Sequence, residues 1–317
     1  MGKNMSDDKL PDSGSKEFRC GWVALMGPPN SGKSTLLNEI LGQKITIVTP
    51  KPQTTRNQIV GILTTPEAQV IFMDTPGIAQ MRGALNKAMI QAVWQSLSQA
   101  QCILLMLDAS LYINHPDYLE KDLAPLLEAL ANDTRPVIVA ANKVDLFADK
   151  AKMLPLMNKV QELLPKAEIF PISAQTGDGV PELVELVISK LPHAPAVFPD
   201  DQISTASLRF MAAEIIREKL FLRLRQELPY GIAVEVESWK EEPERNLTII
   251  HAVIYVSKNS HKGMVIGEGG SMLKEVGTEA RKDIEELLGT RVHLELWVKV
   301  QENWTDNQAF LHQLGNN

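Results

Sequence analysis

Eight residues, Gly27-Pro28-Pro29-Asn30-Ser31-Gly32-Lys33-Ser34, stand at the spacing G-x-x-x-x-G-K-[ST], the pattern of a loop that cradles phosphate. In such a loop backbone N–H groups point inward, and the start of the following helix adds partial positive charge. Gly27 and Gly32 leave room for oxygens to approach the main chain. Lys33 reaches the β and γ phosphates, the Ser34 hydroxyl is placed for Mg²⁺, and Thr35 follows in the helix start. About 40 residues later comes Asp74-Thr75-Pro76-Gly77, a D-x-x-G arrangement. Asp74 is predicted in the outer shell of the metal, and the Gly77 amide as a sensor of the γ-phosphate. A third constellation is Asn142-Lys143-Val144-Asp145. The Asp145 carboxylate can accept hydrogen bonds from guanine N1–H and the 2-amino group; adenine lacks that donor pair and leaves a carboxylate unpaired. Asn142 braces the loop and Lys143 lies along the base. Ser173-Ala174 completes the set, with the Ala174 amide facing the guanine carbonyl. D-T-P-G and S-A are common turns when met alone and count here through their positions.

The elements that must carry these residues read as an alternating series. Residues 22–26 form a short apolar strand, and 34–41 a helix with Leu36, Leu37 and Ile40 on one face. The polar segment 49–57 is a mobile loop. Residues 58–63 and 69–73 form a hairpin turned at Thr64-Thr65-Pro66-Glu67. Helices are predicted over 86–100, 116–131, 152–164 and 181–191, and strands over 102–107, 136–141 and 167–172. Continuous apolar strands alternating with helices give an α/β domain with a mostly parallel sheet and helices on both faces.

The chain has 317 residues, enough for about two domains. Hydrophobic residues make up 44% and charged residues 22%, ordinary for a globular protein. A net charge of −7 argues against tail-driven nucleic-acid binding and leaves room for a local basic patch. Cys20 and Cys102 have no metal-ligand spacing and are expected as core thiols in a reducing compartment. No apolar run approaches membrane-spanning length, and residues 1–18 read as a disordered tail without a signal-peptide core. A cytoplasmic monomer is expected.

After the first domain (19–192), the proline- and aspartate-bearing stretch 193–204 reads as a linker, and 205–317 as a second, α+β domain. Residues 205–228 form an amphipathic helix with Phe210, Ala213, Ile216, Leu220 and Leu224 inward. Of its arginines, Arg209, Arg217, Arg223 and Arg225, several pair with acids at helical spacing and most are expected on a solvated face. Residues 231–239 and 247–256 alternate as half-exposed strands. Then come Met264-Val265-Ile266-Gly267-Glu268-Gly269-Gly270, a helix over 271–288 and a strand over 292–300. V-I-G-x-x-G in that order of elements is the clamp of a KH domain, which grips about four nucleotides of single-stranded backbone. Glu268 is unfavourable near phosphate, so affinity is expected to depend on Lys262, Lys274 and Arg281. Acids outnumber bases beyond residue 200, so RNA binding must be local and base-reading.

The motifs in this order resemble the translation-factor class of small GTPases. The run 29–38, with Thr54-Thr55-Arg56 and Asp74-Thr75-Pro76-Gly77, resembles the bacterial TrmE–Era–EngA-like group more narrowly. The segment 293–300 with Arg281-Lys282-Asp283 is similar to the Era family, whose members join a GTPase domain to a C-terminal type II KH domain. That resemblance implies a GTP-hydrolysing switch that binds GTP and GDP, grips the 3′ end of 16S ribosomal RNA through Val265–Gly270, Lys274 and Arg281, and assists maturation of the 30S subunit. It also implies that Thr54 and Thr55 form the first switch, that the Thr55 hydroxyl joins Ser34 on Mg²⁺, and that Asp74 to Ile78 form the second. Asn30 either helps hold a K⁺ near the phosphates or only shapes the loop. Ile78 stands where many GTPases keep a water-orienting glutamine, which implies slow intrinsic hydrolysis or another group. Pro28 and Ser31 replace an arginine and a valine common in the family. A membrane-associated regulatory GTPase, peripheral on the inner membrane and acting through a protein partner, is the alternative reading.

Overall fold

The structure, a computed structural model, describes residues 18–52, 54–77, 84–225 and 228–315. Ile78 and residues 1–17 of the expected tail lie outside the described residues. Phe18 belongs to the fold, packed beside Cys20 and Ile62.

The first domain alternates as its apolar runs require. Its strands are β1 (Arg19–Met26), β2 (Ile59–Thr64), β3 (Ala68–Asp74), β4 (Cys102–Asp108), β5 (Val137–Asn142) and β6 (Glu168–Pro171). They line up in the order β2-β3-β1-β4-β5-β6, all parallel except the β2–β3 hairpin. Helices α1 (Lys33–Leu41) and α6 (Val180–Lys190) cover one face through Leu36, Leu37, Leu183 and Val187. The other face is covered by α2 (Ala84–Gln99), α3 (Ala109–Asn114), α4 (Asp117–Leu130) and α5 (Leu154–Leu163), through Val93, Tyr112, Leu123 and Val160. Every side chain of β3 is buried, as its run of apolar residues demands. Cys20 and Cys102 are free, buried thiols. Helix α3 went unpredicted: Asp108 ends β4 and at once caps a new helix by accepting from the Leu111 amide. Strand order reverses at β1, and a crevice opens beyond the carboxyl ends of the strands at such a point. The phosphate-loop residues, Asp74, Asp108 and Asn142 all stand there.

The stretch 193–204 is not a free tether. The Ile62 amide donates to the Ile203 carbonyl (2.8 Å), the Ser204 hydroxyl donates to Val60 O (2.7 Å), and the Gln69 amide oxygen accepts from the Val197 and Phe198 amides. It lies along the exposed edge of β2, where the strand's unpaired backbone groups would otherwise face solvent.

The second domain runs α7 (Leu208–Arg223), β7 (Ile232–Glu242), β8 (Leu247–Val256), α8 (Asn259–Ile266), α9 (Ser271–Leu288), β9 (Arg291–Val300) and α10 (Gln308–Gly315). Its sheet is β7-β8-β9, with β7 antiparallel and β9 parallel to β8. Helices α7, α8 and α9 cover one face. Helix α7 stops at Arg223 rather than running to 228, because Leu224 is extended and Leu228–Gly231 turns tightly before β7. Strand β7 is not half-exposed along its first half. Ala233 and Glu235 are buried because Tyr255, Trp304 and Phe310 pack on that second face, and the Tyr255 hydroxyl donates to Glu235 (3.0 Å).

Candidate nucleotide and RNA sites

The phosphate loop leaves β1 and enters α1 through Gly32, whose φ is +99°. A side chain there would strike Asn142: a Cβ would come 2.2 Å from its Nδ2. The close approach has a purpose, since Asn142 Nδ2 donates to the Ser31 carbonyl (2.8 Å) and its Oδ1 accepts from the Ala174 amide (2.9 Å). Asn142 therefore ties three motifs together. The Ala174 amide, expected to face the base, is engaged by Asn142 here. The Lys143 backbone is left-handed (φ 70°), and its ammonium pairs with Asp108 at 2.5 Å, a partner that the sequence pattern did not reveal. Val144 is buried and its amide donates to Ile172 O (3.2 Å), which leaves Asp145 exposed at the crevice. Ser173 is buried and its hydroxyl accepts from the Thr176 amide.

Lys33 is buried, and its ammonium donates to the carbonyls of Gly27 (3.0 Å) and Pro28 (2.9 Å). Burial pulls its pKa down to about 8, and the nearby Asp74 charge opposes the fall. The Ser34 hydroxyl lies 2.7 Å from Asp74 Oδ2 and 2.9 Å from the Thr55 hydroxyl. Burial pushes Asp74 up to about 6, against the pull of Lys33 and of hydrogen bonds from Ser34 and the Thr75 amide. Asp74 Oδ1 is buried with no hydrogen-bond partner among the described residues. Two hydroxyls and a carboxylate with an unused oxygen are the donors a hard divalent cation takes, so the set fits Mg²⁺. Thr75 anchors the turn by donating to Leu25 O (2.9 Å), and Gly77 sits so close to Pro29 that a Cβ would come 2.7 Å from its backbone. The second-switch glycine is thus pressed against the phosphate loop. Asn30 has a left-handed backbone and its side-chain amide donates to Pro50 O (3.3 Å), linking the loop to the segment that carries Thr54 and Thr55.

In the second domain, α8 ends at Ile266 and the chain turns through Glu268–Gly270 into α9. Gly269 and Gly270 are both left-handed, and a Cβ on either would meet open space, so this turn is open to a ligand. Beside it lies a groove of about 430 Å³ lined by Leu273, Lys274, Gly277, Arg281, Leu294 and Leu296. Val265 does not belong to this surface: it is wholly buried in the core, where it seats α8. Glu268 is exposed beside the groove.

Arg217, expected on a solvated face, is 2% exposed. Helix α7 packs against the loop carrying Thr54 and Thr55, and its polar face meets that loop instead of water. At the other end, the Ala84 amide that begins α2 donates to Asp306 Oδ1 (3.3 Å), while Leu85 packs with Trp304, Phe310 and Leu311. A carboxylate at a helix start is favourable, and this one comes from beyond β9.

The family profile described as 50S ribosome-binding GTPase matches residues 22–143, and the KH domain profile matches residues 227–305. The chain is 66% identical to GTPase Era of Desulfovibrio desulfuricans over 94% of its length and 97% of that protein's. It is 65% identical to GTPase Era of Nitratidesulfovibrio vulgaris over 94% and 97%. The chain belongs to the Era family of GTPases. It therefore hydrolyses GTP, and its fold is the P-loop GTPase domain followed by a KH domain. Two solved Era structures superpose on it with a TM-score of 0.86 at 38% identity, each covering 94% of this chain and 99% of its own. One is described as Era in complex with MgGDPNP and nucleotides 1506–1542 of 16S ribosomal RNA. The other is a variant of Aquifex aeolicus Era bound to GDP and aluminium fluoride. No helix among the described residues is long and apolar enough to cross a membrane.

Proposed function

We propose that this Era-family GTPase is a switch that binds the 3′ region of small-subunit ribosomal RNA and assists assembly of the 30S subunit. The observation that carries the reading is that the loop bearing Thr54 and Thr55 is hydrogen-bonded to α7, which packs on α9, the helix that lines the KH groove. In support, an Era relative was crystallised with a 16S rRNA fragment.

The first domain, about 19–192, carries the reaction. Mg²⁺, when bound, neutralises charge on the phosphate oxygens. Ser34 and Thr55 would offer it hydroxyls, with Asp74 in the outer shell, where its carboxylate accepts from Ser34. Lys33 supplies fixed positive charge to the β and γ phosphates, and the Gly77 amide reads the γ-phosphate. Asp145 selects guanine, and Asn142 braces the loop by holding Ser31 and Ala174. Attack by water then needs positioning and charge stabilisation more than covalent help from the protein. Asn30 shapes the loop by donating to Pro50 O, and in the family resemblance it also helps hold a K⁺ near the phosphates. In the KH domain, about 205–317, the amides of Gly267 and Gly270 close the turn by donating to Gly263 O and Gly267 O, so the turn offers backbone at Gly269, while Lys274 and Arg281 supply local positive charge along α9.

The test is fluorescence binding of an oligonucleotide from the small-subunit rRNA 3′ end to the full chain with GTP analogue, with GDP and without nucleotide. Tight binding with the analogue alone is the expected result. No binding in any state overturns the reading and puts a protein or membrane partner in its place. In the same assay Glu268→Lys is expected to tighten binding about 3- to 10-fold, and Arg281→Ala to weaken it about 10-fold. The slope of affinity against salt should change by about one phosphate contact in each case. An unchanged slope would remove these side chains from the RNA surface.

A further inference from the structure

Arg217 belongs to the KH domain, yet its guanidinium acts on the first. Nη2 donates to the Thr54 carbonyl (2.6 Å), Nε donates to Glu214 (2.7 Å), and the guanidinium carbon lies 5.1 Å from the Phe221 ring centre. Nη1 is buried and has no hydrogen-bond partner among the described residues.

The contact is reciprocated on the far side of Thr55. Arg56 reaches back into the KH domain, donating to the carbonyls of Ile232 (2.6 Å), Tyr230 (2.9 Å) and Pro229 (3.3 Å). Upstream, Glu218 accepts from the Val48 amide (3.0 Å), and the Lys51 ammonium donates to Phe221 O and Leu224 O at the end of α7. The residues before and after Thr55 are thus both held by the KH domain, while its hydroxyl stands 2.9 Å from Ser34.

Burying a guanidinium with one NH₂ group unsatisfied is unfavourable, and an apolar residue of like volume would pack there at less cost. The hold on Thr54 is what distinguishes the arginine from such a residue. We propose that Arg217 is a positioning residue for GTP hydrolysis: by fixing the Thr54 carbonyl it aims the Thr55 hydroxyl at the Ser34–Asp74 metal site. This rests on the reading of Thr55 as a metal ligand. The nucleotide-binding domain is then incomplete without a side chain of the RNA-binding one.

The experiment is GTP hydrolysis by the full chain as a function of Mg²⁺ concentration, for Arg217→Gln, Arg217→Lys, Glu214→Gln and Thr55→Ala. Arg217→Gln is expected to lower kcat about tenfold and to raise the Mg²⁺ concentration for half-maximal rate about tenfold, or about 1.4 kcal/mol. Affinity for GDP should stay within about twofold, since GDP lacks the phosphate that engages Thr55. Arg217→Lys keeps one donor and should recover part of both losses, a rescue that a purely packing role would not produce. Glu214→Gln loosens the guanidinium and should shift both quantities about two- to threefold. A Thr55→Ala chain with the wild-type Mg²⁺ midpoint would sink the metal-ligand reading and the proposal with it. If Thr55→Ala shifts the midpoint and folded Arg217→Gln does not, the proposal alone is overturned. Should Arg217→Gln fail to fold, wild-type kcat and midpoint in both Arg217→Lys and Glu214→Gln overturn it equally.

Discussion

Replacing Asp145 by asparagine is expected to lower GTP affinity by about 10²- to 10³-fold and to admit xanthosine triphosphate. Asp145 is exposed at the crevice, on a turn held by the Val144 amide and by the left-handed Lys143 backbone. Its carboxylate is an acceptor at both oxygens, and in the function proposed above it meets the two donors of the guanine edge. Each hydrogen bond to a charged group contributes about 1.5–3 kcal/mol. Losing the charge and turning one acceptor into a donor removes about 3–4 kcal/mol, which is the fold-change given. Xanthine carries a carbonyl in place of the 2-amino group, so the asparagine amide meets it with a donor. Competition isotherms with GTP, inosine triphosphate and xanthosine triphosphate on wild-type and D145N proteins check this. Unchanged GTP preference in folded D145N would place the base elsewhere.

Lys33→Ala is expected to lower kcat/KM for GTP by about 10³-fold, at the upper end of what a single electrostatic group supplies in a water-excluded site. The carbonyls of Gly27 and Pro28 that now accept from its ammonium hold the charge over the loop before nucleotide arrives. A pH signature accompanies the loss. Burial lowers the Lys33 pKa to about 8 in the nucleotide-free chain. The charged form binds phosphate, so bound phosphate raises that pKa, and above pH 8 nucleotide binding must take up a proton. Affinity should be flat on this account below pH about 8 and should fall by up to about tenfold per unit above it. GDP titrations across that range in wild-type and K33A chains test the assignment. A break of the same size in K33A would assign it to another group.

The parts of the site legible in the sequence are those whose chemistry is local. The phosphate loop, D-T-P-G, N-K-V-D and the glycine turn after Ile266 each complete their geometry within a few residues, so spacing alone announces them. The alternating sheet was readable for a similar reason, since buried parallel strands require unbroken apolar runs. Arg217 was misread because Glu214 stands three residues away, a spacing equally suited to a solvated helix. What decides its burial is Thr54, 163 residues distant. Ala233 and Glu235 looked exposed because Trp304 and Phe310, which cover them, come after the last strand. Asn142 fell between: its place in the motif was plain, but its double grip on Ser31 and Ala174 needs two other loops to be in position.

The contact between Ala84 and Asp306 spans 222 residues, and that between Thr54 and Arg217 spans 163. A chain is made from its N-terminus at about 5–20 residues per second. The cradle can fold once the first domain, to about residue 192, has emerged, and the guanidinium beside Thr54 follows that point by about 25 residues, roughly 1–5 s. The carboxylate at the head of α2 arrives later still. During synthesis, then, the nascent first domain has its phosphate loop before either of these contacts with the second domain has formed. Segments made after that domain complete both contacts, so the timetable of translation is written into the wiring of the enzyme.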